Sequence, residues 1–413
     1  MRHALPALAM LLIASAAARA QTPDKQSFEV IQHGRYMATA ADCTACHTAK
    51  GGEPFAGGGA LETPFGVLLS PNITPDLQTG IGGWTDDEFV NAVQKGIGHD
   101  GLHLYPAMPY VYYTKMTRAD VLAIRAYLDT LPPVHNRVIA NQLPFPFNQR
   151  ESMVGWNALY FTPGQFKPDP SKSAEWNLGA SLIEGAEHCG LCHTPKNAMG
   201  GDENSHLMQG SVLQNWYAPN LTGNRIGLGD WTIDDIVLYL RTGRNRFDIA
   251  SGPMAEAVTN STSHLTEADL RAMAVYLKGL PAGGGTLQQP LAADEPKMQQ
   301  GQTIYYNQCA ACHGGAGQGI VGLFPRLAGA PLVQQDQATS LIRVVLEGSR
   351  AMASAGAPTG PAMPSFAWKL SDADIAAAIT YIRNAWGNAA PGVSPGEVSN
   401  MRQALHRDAQ RAP

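Results

Sequence analysis

Several shortages narrow what this chain can be. Charged residues make up only 15% of its 413 positions, and the formal net charge is -5. There is no basic stripe, which excludes nucleic acid as a partner. Beyond the N-terminal region, no stretch approaches the ~18 consecutive apolar residues that a bilayer-spanning helix needs. No Rossmann glycine fingerprint, P-loop or serine nucleophile elbow is present, so no nucleotide or acyl-transfer site announces itself. Cysteine is scarce as well, with six in the whole chain. Where those six stand organises everything else.

All six fall in one pattern, C-x-x-C-H, which occurs three times. The copies are Cys43-Thr44-Ala45-Cys46-His47, Cys189-Gly190-Leu191-Cys192-His193 and Cys309-Ala310-Ala311-Cys312-His313. Zinc would need a second ligand pair nearby, and each copy stands far from the next. A redox dithiol would not need His after all three pairs. A haem accounts for every position. Two thiols separated by two residues each form a thioether to one vinyl group, and the following His becomes the proximal iron ligand. This spacing predicts three covalently bound haem c groups. Cys43, Cys46, Cys189, Cys192, Cys309 and Cys312 would carry the thioethers, and His47, His193 and His313 would bind iron. No Cys is left for a disulfide.

The start of the chain agrees with that chemistry. Arg2 and His3 form a short positive region, Ala7 to Ala17 is apolar, and Ala18-Arg19-Ala20 resembles a cleavage site. Residues 1–20 therefore read as a secretory signal, with Gln21 as the mature N-terminus. Export fits haem c, which is attached outside the bacterial cytoplasm.

A thioether from Met is the common sixth ligand opposite His, and it raises the potential. Met108 lies in Tyr105-Pro106-Ala107-Met108-Pro109, Met254 in Ser251-Gly252-Pro253-Met254-Ala255, and Met363 in Pro361-Ala362-Met363-Pro364. Each is expected in a Pro/Gly loop. Competitors are His99, His103 and Met116 in the first unit, Met208 and His264 in the second, and Met352 in the third. A helix start follows each Met, at Thr117-Arg118-Ala119-Asp120, Thr266-Glu267-Ala268-Asp269 and Ser371-Asp372-Ala373-Asp374. Each places a capping hydroxyl before an acid on the positive helix end. The repeating unit is helix, C-x-x-C-H, long loop, Met, helix.

The first two units share a further block. Ser70-Pro71-Asn72-Ile73-Thr74 matches Ala218-Pro219-Asn220-Leu221-Thr222, and Gly82-Gly83-Trp84-Thr85 matches Gly229-Asp230-Trp231-Thr232. Two roles are open for it: holding haem propionates and lining the pocket, or forming a turn with a buried Trp. The third unit offers Phe324-Pro325-Arg326-Leu327, where Arg326 would pair with a propionate. The units divide the chain into 21–143, 174–281 and 297–388. Residues 144–173 form an aromatic, Pro-rich linker expected to pack between the first two units or against a partner. Residues 282–296 form a looser joint, and 389–413 form a polar tail expected to be disordered.

Taken together, these stretches resemble a family. Gly34-Arg35-Tyr36, Ser70-Pro71-Asn72-Ile73-Thr74, Leu104-Tyr105-Pro106-Ala107-Met108-Pro109-Tyr110, Pro146-Phe147-Asn148-Gln149-Arg150 and Cys189 to Asn197 are similar to the triple-haem cytochrome c subunits of bacterial membrane-bound alcohol, gluconate, sorbitol and fructose dehydrogenases. The resemblance covers the mature chain. It implies a mainly α, loop-rich fold of three tandem class I cytochrome c-like domains, each wrapped around one haem. It implies a catalytic partner subunit, quinoprotein or flavoprotein, with or without a small third subunit. It also implies ubiquinone as acceptor, peripheral contact at the periplasmic face of the cell membrane, and Met108, Met254 and Met363 as axial ligands. Three other readings stand beside it: the cytochrome of a molybdenum-containing aldehyde or heteroaromatic dehydrogenase, a soluble periplasmic shuttle, and a peroxidase-type haem enzyme. No substrate-oxidising site is visible in the chain itself.

Overall fold

The computed structural model describes residues 27–285, 288–354 and 357–411. The expected signal segment 1–20 lies outside them. Three helix pairs form the frame. α1 (Phe28–Ala40) packs on α2 (Arg118–Leu128), α3 (Ala174–Ser181) on α4 (Glu267–Lys278), and α5 (Pro296–Gln308) on α6 (Asp372–Asn384). The second helix of each pair starts where its cap predicts. Thr117, Thr266 and Ser371 accept the backbone N–H of Asp120, Asp269 and Asp374 through their side-chain oxygens, satisfying an otherwise orphaned donor.

Each pair crosses at a glycine. A Cβ on Gly34 would overlap the Ala123 carbonyl oxygen, one on Gly179 that of Ala272, and one on Gly301 that of Ala377. The helices meet backbone to backbone, and no larger residue fits at the crossing. The long loops between the helices carry little sheet. Their ordered strands are three short antiparallel hairpins: Ala60–Thr63 with Gly66–Leu69, Ser211–Leu213 with Trp216–Ala218, and Ser349–Arg350 with Ala362–Met363.

The first two units share one continuous apolar core. Met37, Val121 and Ile124 from the first unit and Ile183, Leu270 and Met273 from the second all belong to it. The packing is reciprocal. The helix Tyr110–Tyr113, just after Met108, rests on the π-helical turn Leu182–Ala186 ahead of the second motif. The helix Gly252–Asn260, which holds Met254, rests on the first motif helix Cys43–His47. The third unit has cores of its own, one around Ile375, Ile379, Val398 and Met401, the other around Met298, Tyr305 and Tyr381.

The aromatic linker packs between the first two units and contains a helix, Ser152–Tyr160. Trp156 is buried and donates to the Met199 carbonyl at 2.9 Å, while the Phe161 ring meets Tyr110 edge-on at 5.2 Å. The 282–296 joint is less loose than its glycines suggest. Asn220 donates to the Gly283 carbonyl at 2.6 Å, and the Leu291 N–H is accepted by Asn384 at 3.0 Å.

Arg244 ties the second unit to the third. Its buried guanidinium reaches the carbonyls of Gly322 (2.8 Å), Met352 (2.8 Å), Ala357 (3.2 Å) and Thr359 (2.6 Å). Arg244→Ala is expected to weaken this junction by about 3 kcal/mol, because buried carbonyls lose a charged donor. Faster proteolytic cutting within 282–296 and a lower unfolding midpoint would register it.

The tail corrects the expectation of disorder. Pro395–Arg411 is a helix, α7, with Val398, Met401 and Leu405 buried on the third unit. Their spacing puts all three on one helical face. Among the described residues, no helix is long and apolar enough to cross a membrane.

Candidate functional site

Each C-x-x-C-H ends in a short helix: Cys43–His47, Gly190–His193 and Ala310–His313. No two of the six thiols are linked to each other. The motif helix carries the His in its last turn, and one kind of contact then orients every ring. His47 Nδ1 bonds the Pro71 carbonyl at 2.8 Å, His193 Nδ1 that of Pro219 at 2.7 Å, and His313 Nδ1 that of Pro325 at 2.9 Å. With a carbonyl as partner, Nδ1 carries the proton and Nε2 keeps its lone pair. That tautomer and its hydrogen bond are what a metal-ligating imidazole requires.

Desolvation acts in the same direction. Burial lowers the pKa of all three rings, that of His193 to about 4, and so favours neutral imidazole. Burial raises the thiols, Cys43 to about 12 and Cys46 and Cys309 to about 11. The side chains thus fit haem c: paired thiols, a neutral oriented imidazole and an apolar surround. Trp231 Nε1 is buried without an acceptor among the described residues, leaving it free to donate to a bound group.

The side chains of the shared P-N-x-T block bond within the chain. Asn72 donates to the Val134 carbonyl at 2.8 Å and to Thr79 at 3.1 Å, and it accepts the Thr74 N–H at 2.9 Å. Asn220 and Thr222 make the equivalent bonds to the Gly283 carbonyl. These amides fasten the loop to the segment that follows the second helix of each unit. The loop in turn presents the Pro carbonyl to His. Arg326 donates to the Ala328 carbonyl at 2.7 Å and lies 5.6 Å from the Phe247 ring centroid. The Pro carbonyls are functional groups that the sequence did not single out. Their signal was there, since Pro71 and Pro219 lead the repeated block and Pro325 lies in its counterpart, but attention falls on side chains first.

Met108, Met254, Cys43 and Cys189 all border the shared core of the first two units. Met108 lies in a turn, as expected. Met254 does not lie in a loop. It sits in the first turn of the helix Gly252–Asn260, where Pro253 is favoured at a helix start. Met363 ends the hairpin strand opposite Ser349 and is half-buried. The competitors make contacts of their own. His99 pairs with Glu88 at 2.8 Å, and His103 bonds Asn157 at 2.9 Å. His264 bonds the Thr259 carbonyl at 3.0 Å, Met116 and Met208 are buried in the shared core, and the Met352 sulfur meets Thr259 at 3.6 Å.

Cys43 and Cys189 of the first two motifs pack against the same core. A carboxyl stands just ahead of each motif, Asp42 before Cys43 and Glu187 before Cys189. Burial pushes Asp42 and Glu187 up to about 8. Ser261 Oγ reaches both the Glu187 carboxyl (3.0 Å) and the Ala40 carbonyl (3.2 Å), bridging the units.

Comparison with known proteins agrees with this chemistry. A family model described as Cytochrome c matches residues 31–132 and 298–386, enclosing the first and third motifs. The cytochrome c subunit of the quinone-type alcohol dehydrogenase of Gluconacetobacter polyoxogenes is 38% identical over 407 residues, 93% of this chain and 86% of that protein. The gluconate 2-dehydrogenase cytochrome c subunit of Pantoea cypripedii is 36% identical over 417 residues, covering 95% and 94%. A nicotinate dehydrogenase subunit of Pseudomonas putida is 39% identical over 364 residues, which is 87% of this chain but 30% of that protein. The chain therefore carries covalently bound haem c and belongs to the family of cytochrome c subunits of alcohol and gluconate dehydrogenases.

Proposed function

We propose that this chain is a triple-haem electron-transfer subunit. It accepts electrons from a periplasm-facing dehydrogenase subunit acting on an alcohol, sugar or sugar acid, and passes them to ubiquinone. The observation that carries this reading is the threefold repetition of one arrangement, C-x-x-C-H with its His held by a Pro carbonyl. Bound haem supplies a one-electron iron centre. Cys43, Cys46, Cys189, Cys192, Cys309 and Cys312 anchor it, and His47, His193 and His313 ligate it from one side. Met108, Met254 and Met363 ligate it from the other, which closes the axial positions and suits electron exchange rather than turnover of a small substrate.

The catalytic partner is a dehydrogenase subunit, as the names of the alcohol and gluconate dehydrogenase relatives support, and in this reading it is a quinoprotein or flavoprotein. Segment 1–20 directs export, and membrane contact is peripheral. A second reading rests on the relative named for nicotinate dehydrogenase. In that reading the partner oxidises an aldehyde or a heteroaromatic ring.

Mild-detergent capture of the chain from its native membranes tests both. The complex is offered alcohols, sugar acids, aldehydes and nicotinate while c-type absorption is followed. Rapid reduction by an alcohol or sugar acid, with a large subunit co-purifying and added ubiquinone reoxidising the complex, is the expected result. Reduction only by an aldehyde or nicotinate would move the assignment to the second reading. No partner and no substrate-driven reduction would overturn both.

A further inference from the structure

The reciprocal packing of the first two units brings the Met side of the first against the motif of the second. Tyr112 stands at that contact, on the helix Tyr110–Tyr113 that follows Met108. Its hydroxyl donates to Asp202 Oδ2. Asp202 Oδ1 accepts from Lys196 Nζ, and Lys196 Nζ also donates to the Gly190 carbonyl at 3.3 Å. Gly190 lies inside the second C-x-x-C-H. A hydrogen-bonded chain thus runs from the first unit's Met side to the backbone of the second motif.

The ring of Tyr112 makes a second, independent connection. It lies so close to Gly190 that a Cβ there would fall 2.8 Å from both Cε1 and the hydroxyl oxygen. The other two motifs carry Thr44 and Ala310 at the matching place. Only the middle motif has glycine at this place, and there the Tyr112 ring of the neighbouring unit lies against the turn.

Tyr112 is buried, and the Lys196 and Asp202 side chains are mostly covered, at 26% and 21% exposed. Trp156 and Tyr160 of the linker helix line a small cavity together with Pro106, Leu191, Lys196 and Asp202. Lys196 follows His193 by three residues, and its contact with the Gly190 carbonyl holds its charge against the second motif. Its partner carboxylate, Asp202, is bonded directly to Nζ and offsets part of that charge.

We propose that Tyr112, Asp202 and Lys196 are positioning residues for electron passage between the first and second haem sites. They set the gap between the two sites by docking the second motif on the first unit, and Lys196 biases the electron toward the second site. This rests on the reading of both motifs as haem sites. Exchange between two fixed centres falls steeply as their gap widens, and small displacements carry large rate costs. A charge held in a covered contact acts more strongly than one in water.

The test uses the full chain with its haems attached. Tyr112→Phe keeps the ring on Gly190 and removes only the hydroxyl link. It is expected to slow electron equilibration between the first two haems about tenfold, measured by pulse radiolysis, at unchanged haem content. Lys196→Gln keeps a donor for Gly190 and removes the charge. It is expected to shift the electron's distribution about tenfold toward the first haem in a redox titration, the third haem being unaffected, with Lys196→Arg restoring it. A Tyr112→Phe chain that is less stable yet exchanges electrons at the original rate would overturn the proposal, leaving a purely structural tie. So would a Lys196→Gln chain whose potentials stay in place. Mass spectrometry of the unaltered chain is the separate control, since a peptide 189–193 without haem would sink the underlying reading instead.

Discussion

A chain carrying Cys189→Ala and Cys192→Ala is expected to lose one covalent haem and keep the other two, so c-type absorbance per chain falls by about one third. The mass of the denatured chain falls by one haem in step. The thioethers are the only covalent hold, and His193 alone, oriented by Pro219 at 2.7 Å, does not retain haem through denaturation. The effect reaches past the middle unit. Cys189 borders the core that also holds Met37 and Ile124 of the first unit. Stability of the paired units is therefore expected to fall by about 3 kcal/mol or more, as when a buried apolar group is deleted from a packed core. The third unit keeps its own cores around Ile375 and Met298 and should retain its spectrum. An unchanged haem count would mean that the middle motif carries none.

Gly179→Val is the second large effect. A Cβ at Gly179 would collide with the Ala272 carbonyl and lie 3.0 Å from the Met273 nitrogen, all of it backbone. No rotamer relieves that clash. α3 and α4 must move apart, with Met273 and Leu270, both fully buried, between them and the core. Overpacking commonly costs 1–3 kcal/mol, and a clash with rigid backbone belongs at about 3 kcal/mol or beyond. Urea unfolding followed by helical circular dichroism measures it. Gly155→Ala is the control, because nothing lies within 4 Å of a Cβ there. That substitution lies in an exposed part of the linker helix and should be neutral or stabilising by about 1 kcal/mol. Equal losses for both variants would remove the crossing from the explanation.

What the sequence made legible is what is local. The capped helix starts at Thr117, Thr266 and Ser371 need only four residues each, and all three caps form. The C-x-x-C-H turns are similarly self-contained. Met254 misled because Gly252-Pro253 reads as a break, whereas Pro near a helix start opens one. The tail misled because polar composition outweighed the Val398, Met401, Leu405 face, which a periodicity reading of α7 would have caught. The Pro carbonyls at His47, His193 and His313 escaped because a backbone acceptor is marked only by the repeat of Pro71 and Pro219, not by a side chain with polar chemistry. The docking of Tyr112 on Gly190 is a contact between distant segments, and one sequence without pairing information does not reveal it.

The reciprocal packing bears on inheritance. Each of the first two units lends the element beside its Met to wall the other's motif, so neither is a complete module. A recombination break between them would strand two half-walled motifs and split one core. A break within 282–296 would leave both products with intact cores. The smallest pieces that evolution can shuffle from this chain are therefore a two-motif block and a one-motif block, and the third motif is the one that can be separated with its cores intact.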